Sequence, residues 1–217
     1  MAGGVLVSGA VASKPAHMVA PSEAIELAAP PRRFVSRGGL KLEAALDAFG
    51  IDPTGLRCLD VGASTGGFTD CLLQRGAAHV VALDVGRGQL DWSIRRDERV
   101  TSLESTDVRN ADRAAVGNVG LVVADVSFIS LRTVLPHIAL LAQDAPIVAL
   151  VKPQFEVGPR RVGKGGIVRD PALHDEAVAS VVARAEQLGL RCWGSMPSPV
   201  PGAEGNREFF VHLRGDG

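Results

Sequence analysis

The chain reads as a doubly wound α/β protein with a seven-stranded, mostly parallel sheet, an antiparallel last strand and helices on both faces. Three observations predict it. Short apolar runs alternate with amphipathic stretches over most of the 217 residues, and strands buried on both faces are apolar throughout rather than alternating. A small-residue loop, Gly62-Ala-Ser-Thr-Gly-Gly67, joins one such strand to a helix, the position where these folds bind ligands. The connection before the last strand, Met196-Pro-Ser-Pro-Val-Pro-Gly202, is too short for a crossover helix, so that strand runs against its predecessor.

Taken in order, the first thirty or so residues are small and proline-interrupted, with Val5–Val7 and Ala24–Leu27 as short strands around a turn. Ala29-Pro-Pro31 suits a linker. A helix follows from Gly38 to Gly50: Leu42, Ala45, Leu46 and Phe49 share one face, Lys41 sits beside it, and Gly50 supplies the stop. Strands are then expected near Arg57–Val61, Val80–Asp84, Val100–Glu104, Leu121–Val126, Ile147–Val151, Arg191–Ser195 and Phe209–Leu213. Helices are expected near Phe68–Arg75, Gln89–Arg96, Leu131–Ala142 and Asp175–Leu188.

Composition narrows the class. Hydrophobic residues make up 46% and charged residues 22%, ordinary for a globular chain with a sizeable core. Three unpaired-looking cysteines argue for a reducing compartment and against a disulfide framework or a zinc site. No apolar run reaches the roughly 18 residues of a membrane span, and the N-terminus lacks a signal-peptide pattern. The expectation is a cytoplasmic protein without a membrane or metal partner. Net charge is −1, yet the bases cluster. Arg32, Arg33, Arg37 and Lys41 form one segment without acids; Lys152, Arg160, Arg161, Lys164 and Arg169 form a second with Glu156 alone. They read either as solvated loops or as one phosphate-tracking surface.

The glycine loop carries the cofactor reading. Gly62, Gly66 and Gly67 let a ligand approach the backbone. Ser64 and Thr65 suit N-caps for the helix that Phe68 begins, whose free N–H groups favour an anion. About twenty residues on, Asp84 ends the next strand, placed for a ribose diol. Ser64 stands where a dinucleotide fingerprint needs glycine, and the loop lacks the lysine of a phosphate-gripping motif. Asp60, ahead of the first glycine, would repel phosphate but accept an ammonium. S-adenosylmethionine has an ammonium, a carboxylate and a ribose diol, and fits all three better than NAD. Asp107 reads equally as an adenine contact or a surface acid.

Two further strand ends carry charges, Asp125 and Lys152. They read as neighbours, either as a structural ion pair or as groups facing the cleft of the sheet. Trp92 reads as helix packing ahead of a base-stacking role. The stretch Gly158-Pro-Arg-Arg-Val-Gly-Lys-Gly-Gly166 reads as a connector or a substrate-gripping lid. The cysteines suit small core residues. An Asn/Asp-Pro-Pro-aromatic box is absent.

Five segments together resemble a known family: Ser36-Arg-Gly-Gly-Leu-Lys-Leu42, Asp60-Val-Gly-Ala-Ser-Thr-Gly-Gly-Phe68, Ala82-Leu-Asp-Val-Gly-Arg-Gly-Gln-Leu90, Ala124-Asp-Val-Ser-Phe-Ile-Ser-Leu131 and Leu150-Val-Lys-Pro-Gln-Phe-Glu156. They are similar to the TlyA family, also called hemolysin A, of ribosomal RNA 2′-O-methyltransferases with an FtsJ-like domain. The resemblance implies a Rossmann-like S-adenosylmethionine-dependent methyltransferase acting on cytidines of 16S and 23S RNA, with ribosomal subunits as partners. It also implies a Lys-Asp-Lys-Glu tetrad, which by motif position is Lys41, Asp125, Lys152 and Glu208. On that reading Lys152 orients or deprotonates the ribose hydroxyl, Asp125 and Glu208 fix its ammonium, and Lys41 is an electrostatic neighbour. Residues 31–217 would form the methyltransferase domain. Residues 1–30 would be a shortened form of the family's small RNA-binding module, with a linker. The rival functions are a membrane-active hemolysin and a cofactor-binding protein without catalysis.

Overall fold

The computed structural model describes residues 4–12, 14, 16–27, 33–202 and 205–215. The chain divides into two compact units, residues 1–33 and 34–217. In the first, β1 (Val5–Val7) lies between β2 (Ala10–Val11) and β3 (Ile25–Leu27), antiparallel to both. The sequence predicts β1 and β3 but not the two-residue β2. Its signal is the turn: Ser8 and Gly9 both have positive φ, the geometry that matches the twist of a tight hairpin.

The second unit holds α1 (Arg37–Phe49), β4 (Arg57–Val61), α2 (Gly67–Gln74), β5 (His79–Leu83), α3 (Trp92–Arg95), β6 (Val100–Leu103), α4 (Arg113–Val116), β7 (Leu121–Ala124), α5 (Leu131–Ala142), β8 (Ile147–Val151), α6 (Pro153–Glu156), α7 (Pro171–Glu186), β9 (Leu190–Pro197) and β10 (Phe209–Gly215). The sheet order is β6-β5-β4-β7-β8-β10-β9. Strands β4 to β8 are mutually parallel, and β10 runs antiparallel to both β8 and β9, as the short last connection requires.

Strand alternation splits the core in two. Leu59, Val61, Val122 and Ala124 face one way, against α5 and α7 through Leu135, Ile138 and Val181. Cys58, Val80, Val123 and Phe210 face the other, against α1 and α2 through Leu42, Leu46 and Leu72. Helices therefore cover both faces of the central strands, while the edge strand β9 leaves alternate residues exposed.

Two helix boundaries depart from the sequence reading. The stretch Gln89–Arg96 contains only the four-residue α3, capped by Asp91. α7 starts at Pro171, ahead of Asp175: Asp170 caps it, accepting from the Ala172 N–H, and proline occupies the first turn, where its missing donor costs nothing.

Candidate active site

The loop after β4 is shaped by close approach. A Cβ on Gly62 would collide with the carbonyl oxygen of Asp125, so glycine there lets the ends of β4 and β7 abut. Gly66, at φ 93°, is the N-cap of α2 and offers no side-chain cap. Ser64 and Thr65 therefore do not cap this helix. Ser64 adopts φ 48° and turns its own N–H toward Asp84, donating to Oδ2 at 2.8 Å.

Asp84 follows β5 and is doubly held, its Oδ1 accepting from the Gly86 N–H at 2.6 Å. Each oxygen keeps a lone pair for a further donor. Gly62, Ser64, Asp84, Asp107 and Asp125 line one cavity of about 500 Å³. Asp107 is ion-paired with Arg109 at 2.6 Å, and that hydrogen-bonded guanidinium holds its pKa down to about 2, so it is an anion at neutral pH. Asp60 does not line this cavity. It is fully buried, on the face toward α2, where Oδ2 accepts from the Thr69 hydroxyl at 2.7 Å. Its Oδ1 has no partner among the described residues. Burial first, with the charges of Asp125 and Asp84 adding to it, pushes its pKa to about 7.

A second cavity, about 360 Å³, shares Gly62, Ser64 and Asp125 with the first and adds Arg37, Lys41, Thr65, Gly67 and Phe68. Phe68 is nearly buried, its ring centroid 6.1 Å from that of Phe210. The four tetrad residues gather at this edge for a topological reason. Asp125 and Lys152 directly follow the parallel strands β7 and β8. Glu208 precedes β10, whose Phe209 pairs with Val151, so the antiparallel strand begins where its neighbours end.

They form two pairs. Lys152 Nζ is ion-paired with Asp125 Oδ1 at 2.5 Å, and the ammonium donates to Ser127 Oγ at 2.7 Å. Lys41 Nζ donates to Glu208 Oε2 at 2.6 Å. Glu208 therefore fixes the ammonium of Lys41, not that of Lys152. The lysine on α1 reaches the strand end across the second cavity, which periodicity cannot reveal.

The basic residues differ in their partners. Arg32 lies outside the described residues, and Arg33 is exposed in the first unit. Arg37 is exposed and lines the second cavity. Arg160 and Lys164 are exposed without an ion-pair partner among the described residues. Arg161 is already engaged, clamping both carboxylate oxygens of Glu176 at 2.6 Å. Trp92 is 69% exposed, under the Arg96 guanidinium at 4.5 Å, so the packing reading does not hold.

Three residues escaped the sequence reading. Ser127 is the acceptor for Lys152. Phe128 lines the first cavity, is 93% exposed and has φ 64°; a large aromatic just past a charged strand end was its signal. Glu156 is buried and binds the Leu131 N–H (2.6 Å), the Ser130 hydroxyl (2.6 Å) and Arg132 Nε (3.1 Å). It thereby ties the segment after β8 to the one after β7.

Comparison with known proteins gives matches along the whole second unit. The FtsJ-like methyltransferase family model matches residues 34–215. The 16S/23S rRNA (cytidine-2′-O)-methyltransferase TlyA of Mycobacterium tuberculosis is 54% identical over 216 residues, 98% of this chain and 81% of that protein. The solved structure of a "putative hemolysin" from Lactococcus lactis superposes with TM-score 0.82 at 49% identity, covering 85% of this chain and 90% of the other. The structure of a "putative S-adenosylmethionine dependent methyltransferase" from Listeria monocytogenes shares the fold at TM-score 0.60 and 12% identity, over 84% of this chain and 100% of the other.

Proposed function

Because the chain belongs to the TlyA group of FtsJ-like methyltransferases, we infer that it transfers a methyl group from S-adenosylmethionine to the 2′-hydroxyl of a cytidine ribose in ribosomal RNA. The observation that carries this reading is the gathering of Lys152–Asp125 and Lys41–Glu208 at one sheet edge, beside the glycine loop.

The residues present suit the cofactor. Asp84 keeps acceptor capacity for a ribose diol, and ionised Asp107 can accept from an adenine amino group. The bare backbone of Gly62 to Gly67 suits the amino-acid end. Asp60 holds a buried oxygen that lacks a partner, and an ammonium is the kind of group that would satisfy it. When bound, S-adenosylmethionine supplies a methyl group already activated by a positive sulfur.

The chain's own groups then handle the hydroxyl. Lys152, steadied by Ser127 and Asp125, orients the ribose oxygen for in-line attack. As the oxygen gains the methyl carbon, its proton would pass to the Asp125 carboxylate, the member of the Lys152–Asp125 pair with a lone pair to accept it. Lys41 brings a second cation toward the site, and Glu208 cancels its charge in surroundings where an unpaired ion is costly. Arg37, Arg160 and Lys164 suit backbone phosphates. The exposed Phe128 ring suits a base splayed out of its stack. Residues 1–30 are assigned to RNA contact, and ribosomal RNA is the proposed partner.

A membrane-active role draws no support from the described residues, among which no helix is long and apolar enough to cross a bilayer. The test is methyl incorporation into purified small and large ribosomal subunits, mapped by primer extension that stalls at 2′-O-methyl groups. New stops at cytidines support the reading; no incorporation into either subunit overturns it.

A further inference from the structure

Asn206 lies two residues before Glu208 and is 3% exposed. Its Oδ1 accepts from the Val168 N–H at 3.0 Å, and its Nδ2 donates to the Gly166 carbonyl at 2.9 Å. A donor on one side and an acceptor on the other fix the amide's orientation. The segment it grips is the end of the basic loop. Gly163 closes that loop by donating to the Ile167 carbonyl at 3.0 Å, and Val168 is held from below α7's first turn by His174 Nε2, 2.8 Å from its carbonyl. Within the loop Gly158, Gly165 and Gly166 have φ of 82°, 77° and 76°; Arg161 ties the loop to α7 through Glu176, and this amide ties its end to the segment ahead of β10.

The other end of the connection reaches the transfer site. Asn206's own carbonyl accepts from the Gly202 N–H at 2.9 Å. Gly202 packs so closely on Glu208 that a Cβ there would strike Oε1. The Glu208 carbonyl accepts from the Ser198 N–H at 2.8 Å. One side chain thus joins the segment bearing Arg160 and Lys164 to the segment placing the Lys41–Glu208 pair.

We propose that Asn206 is a positioning residue that couples the basic loop to Glu208, so that gripping RNA phosphates and setting the Lys41–Glu208 pair occur together. The inference rests on the methyltransferase reading above and deepens it. Replacing Asn206 leaves the buried Val168 N–H unsatisfied, which costs free energy unless the segment moves, and takes its donor from the more open Gly166 carbonyl. Such movement would displace the loop relative to Glu208 without touching Asp84 or the glycine loop.

The experiment is a mutant cycle in single-turnover methylation of ribosomal subunits at saturating RNA, with RNA and S-adenosylmethionine affinities measured alongside. Asn206→Ala should lower the transfer rate about 2- to 30-fold and leave cofactor affinity unchanged. Arg160→Ala with Lys164→Ala should lower RNA affinity and also the rate at saturation. In the combined variant affinity should fall as for the basic pair, while the rate falls no further than in Asn206→Ala alone. Non-additivity of that kind marks residues acting through one another. Asn206→Asp keeps the acceptor for Val168 but loses the donor to Gly166; as a second variant it should give an intermediate rate. Rates that simply multiply, or a wild-type rate in Asn206→Asp, overturn the coupling. A wild-type protein that methylates no ribosomal RNA overturns the functional reading instead, so the two failures are distinguishable.

Discussion

Lys41 and Glu208, 167 residues apart in the chain, meet at 2.6 Å with side chains only 10% and 2% exposed. The lysine comes from a helix ahead of the sheet, the glutamate from the start of its last strand. Removing one member of such a pair strands a buried charge. Glu208→Ala should therefore lose about 3–5 kcal/mol of stability in urea unfolding, as well as activity. The double variant Lys41→Met/Glu208→Leu should regain most of that stability while staying inactive. Recovered methyl transfer in the double variant would show that the pair serves only the fold.

Cofactor recognition is tested at Asp84. Both its oxygens already hold loop N–H groups, so its loss removes a ribose acceptor and loosens the loop together. Asp84→Ala should weaken S-adenosylmethionine binding by roughly 10- to 100-fold, the scale of charge-assisted hydrogen bonds. Calorimetry is the measurement, and unchanged affinity would move the ribose elsewhere.

Asp60 predicts a pH dependence. Its pKa in the folded protein is about 7 against the ordinary aspartate value of 3.8, so between these values the folded state holds a proton that the unfolded state has released. Its contribution to stability is fully present below about pH 4 and is lost as pH rises through 7. Melting temperatures of the cofactor-free protein should fall between about pH 4 and 7 relative to Asp60→Asn, whose profile should be flatter there, and level off above that range. Parallel profiles would mean that Asp60 does not titrate in this window.

The basic loop should divide by residue. Arg160→Ala and Lys164→Ala should each weaken RNA binding and flatten its salt dependence by about 0.7 slope units per lost single-strand phosphate contact. Arg161→Ala should leave the salt slope unchanged, because its guanidinium is already spent on Glu176. Equal effects at all three positions would show that the Arg161–Glu176 pair opens for RNA.

What the sequence made legible follows from what is local. β8 coincides with the expected Ile147–Val151 because it is an unbroken apolar run ahead of a lysine, and β4 with Arg57–Val61 because the glycine loop marks its end. α5 coincides with Leu131–Ala142 for the same kind of reason, a strong apolar face behind a serine cap. The antiparallel last strand was readable from a connection too short to cross over. Its insertion between β8 and β9 was not, and that insertion brings Glu208 to Lys41. The left-handed turn at Ser64 was equally hidden, since serine looks like a cap until Asp84 is seen to draw its N–H away. Arg161 read as a free base because its partner lies on α7. Asn206 carried no sequence signal, as its value lies in two backbone groups nearly forty residues upstream.

The central claim is that the Lys152–Asp125 pair performs methyl transfer, and Lys152→Ala tests it most directly. The wild-type and variant proteins, each saturated with S-adenosylmethionine, would be compared in a single turnover on ribosomal subunits, with cofactor affinity measured by calorimetry. Lys152 lies just past β8 with its ammonium on Ser127 and Asp125, and its side chain does not line the cavity that Asp84 and Gly62 line. The account predicts unchanged cofactor affinity and a transfer rate at least ~10²-fold lower, the effect of removing a positioned proton-transfer group. A Lys152→Ala protein that methylates ribosomal RNA at the wild-type rate would contradict it.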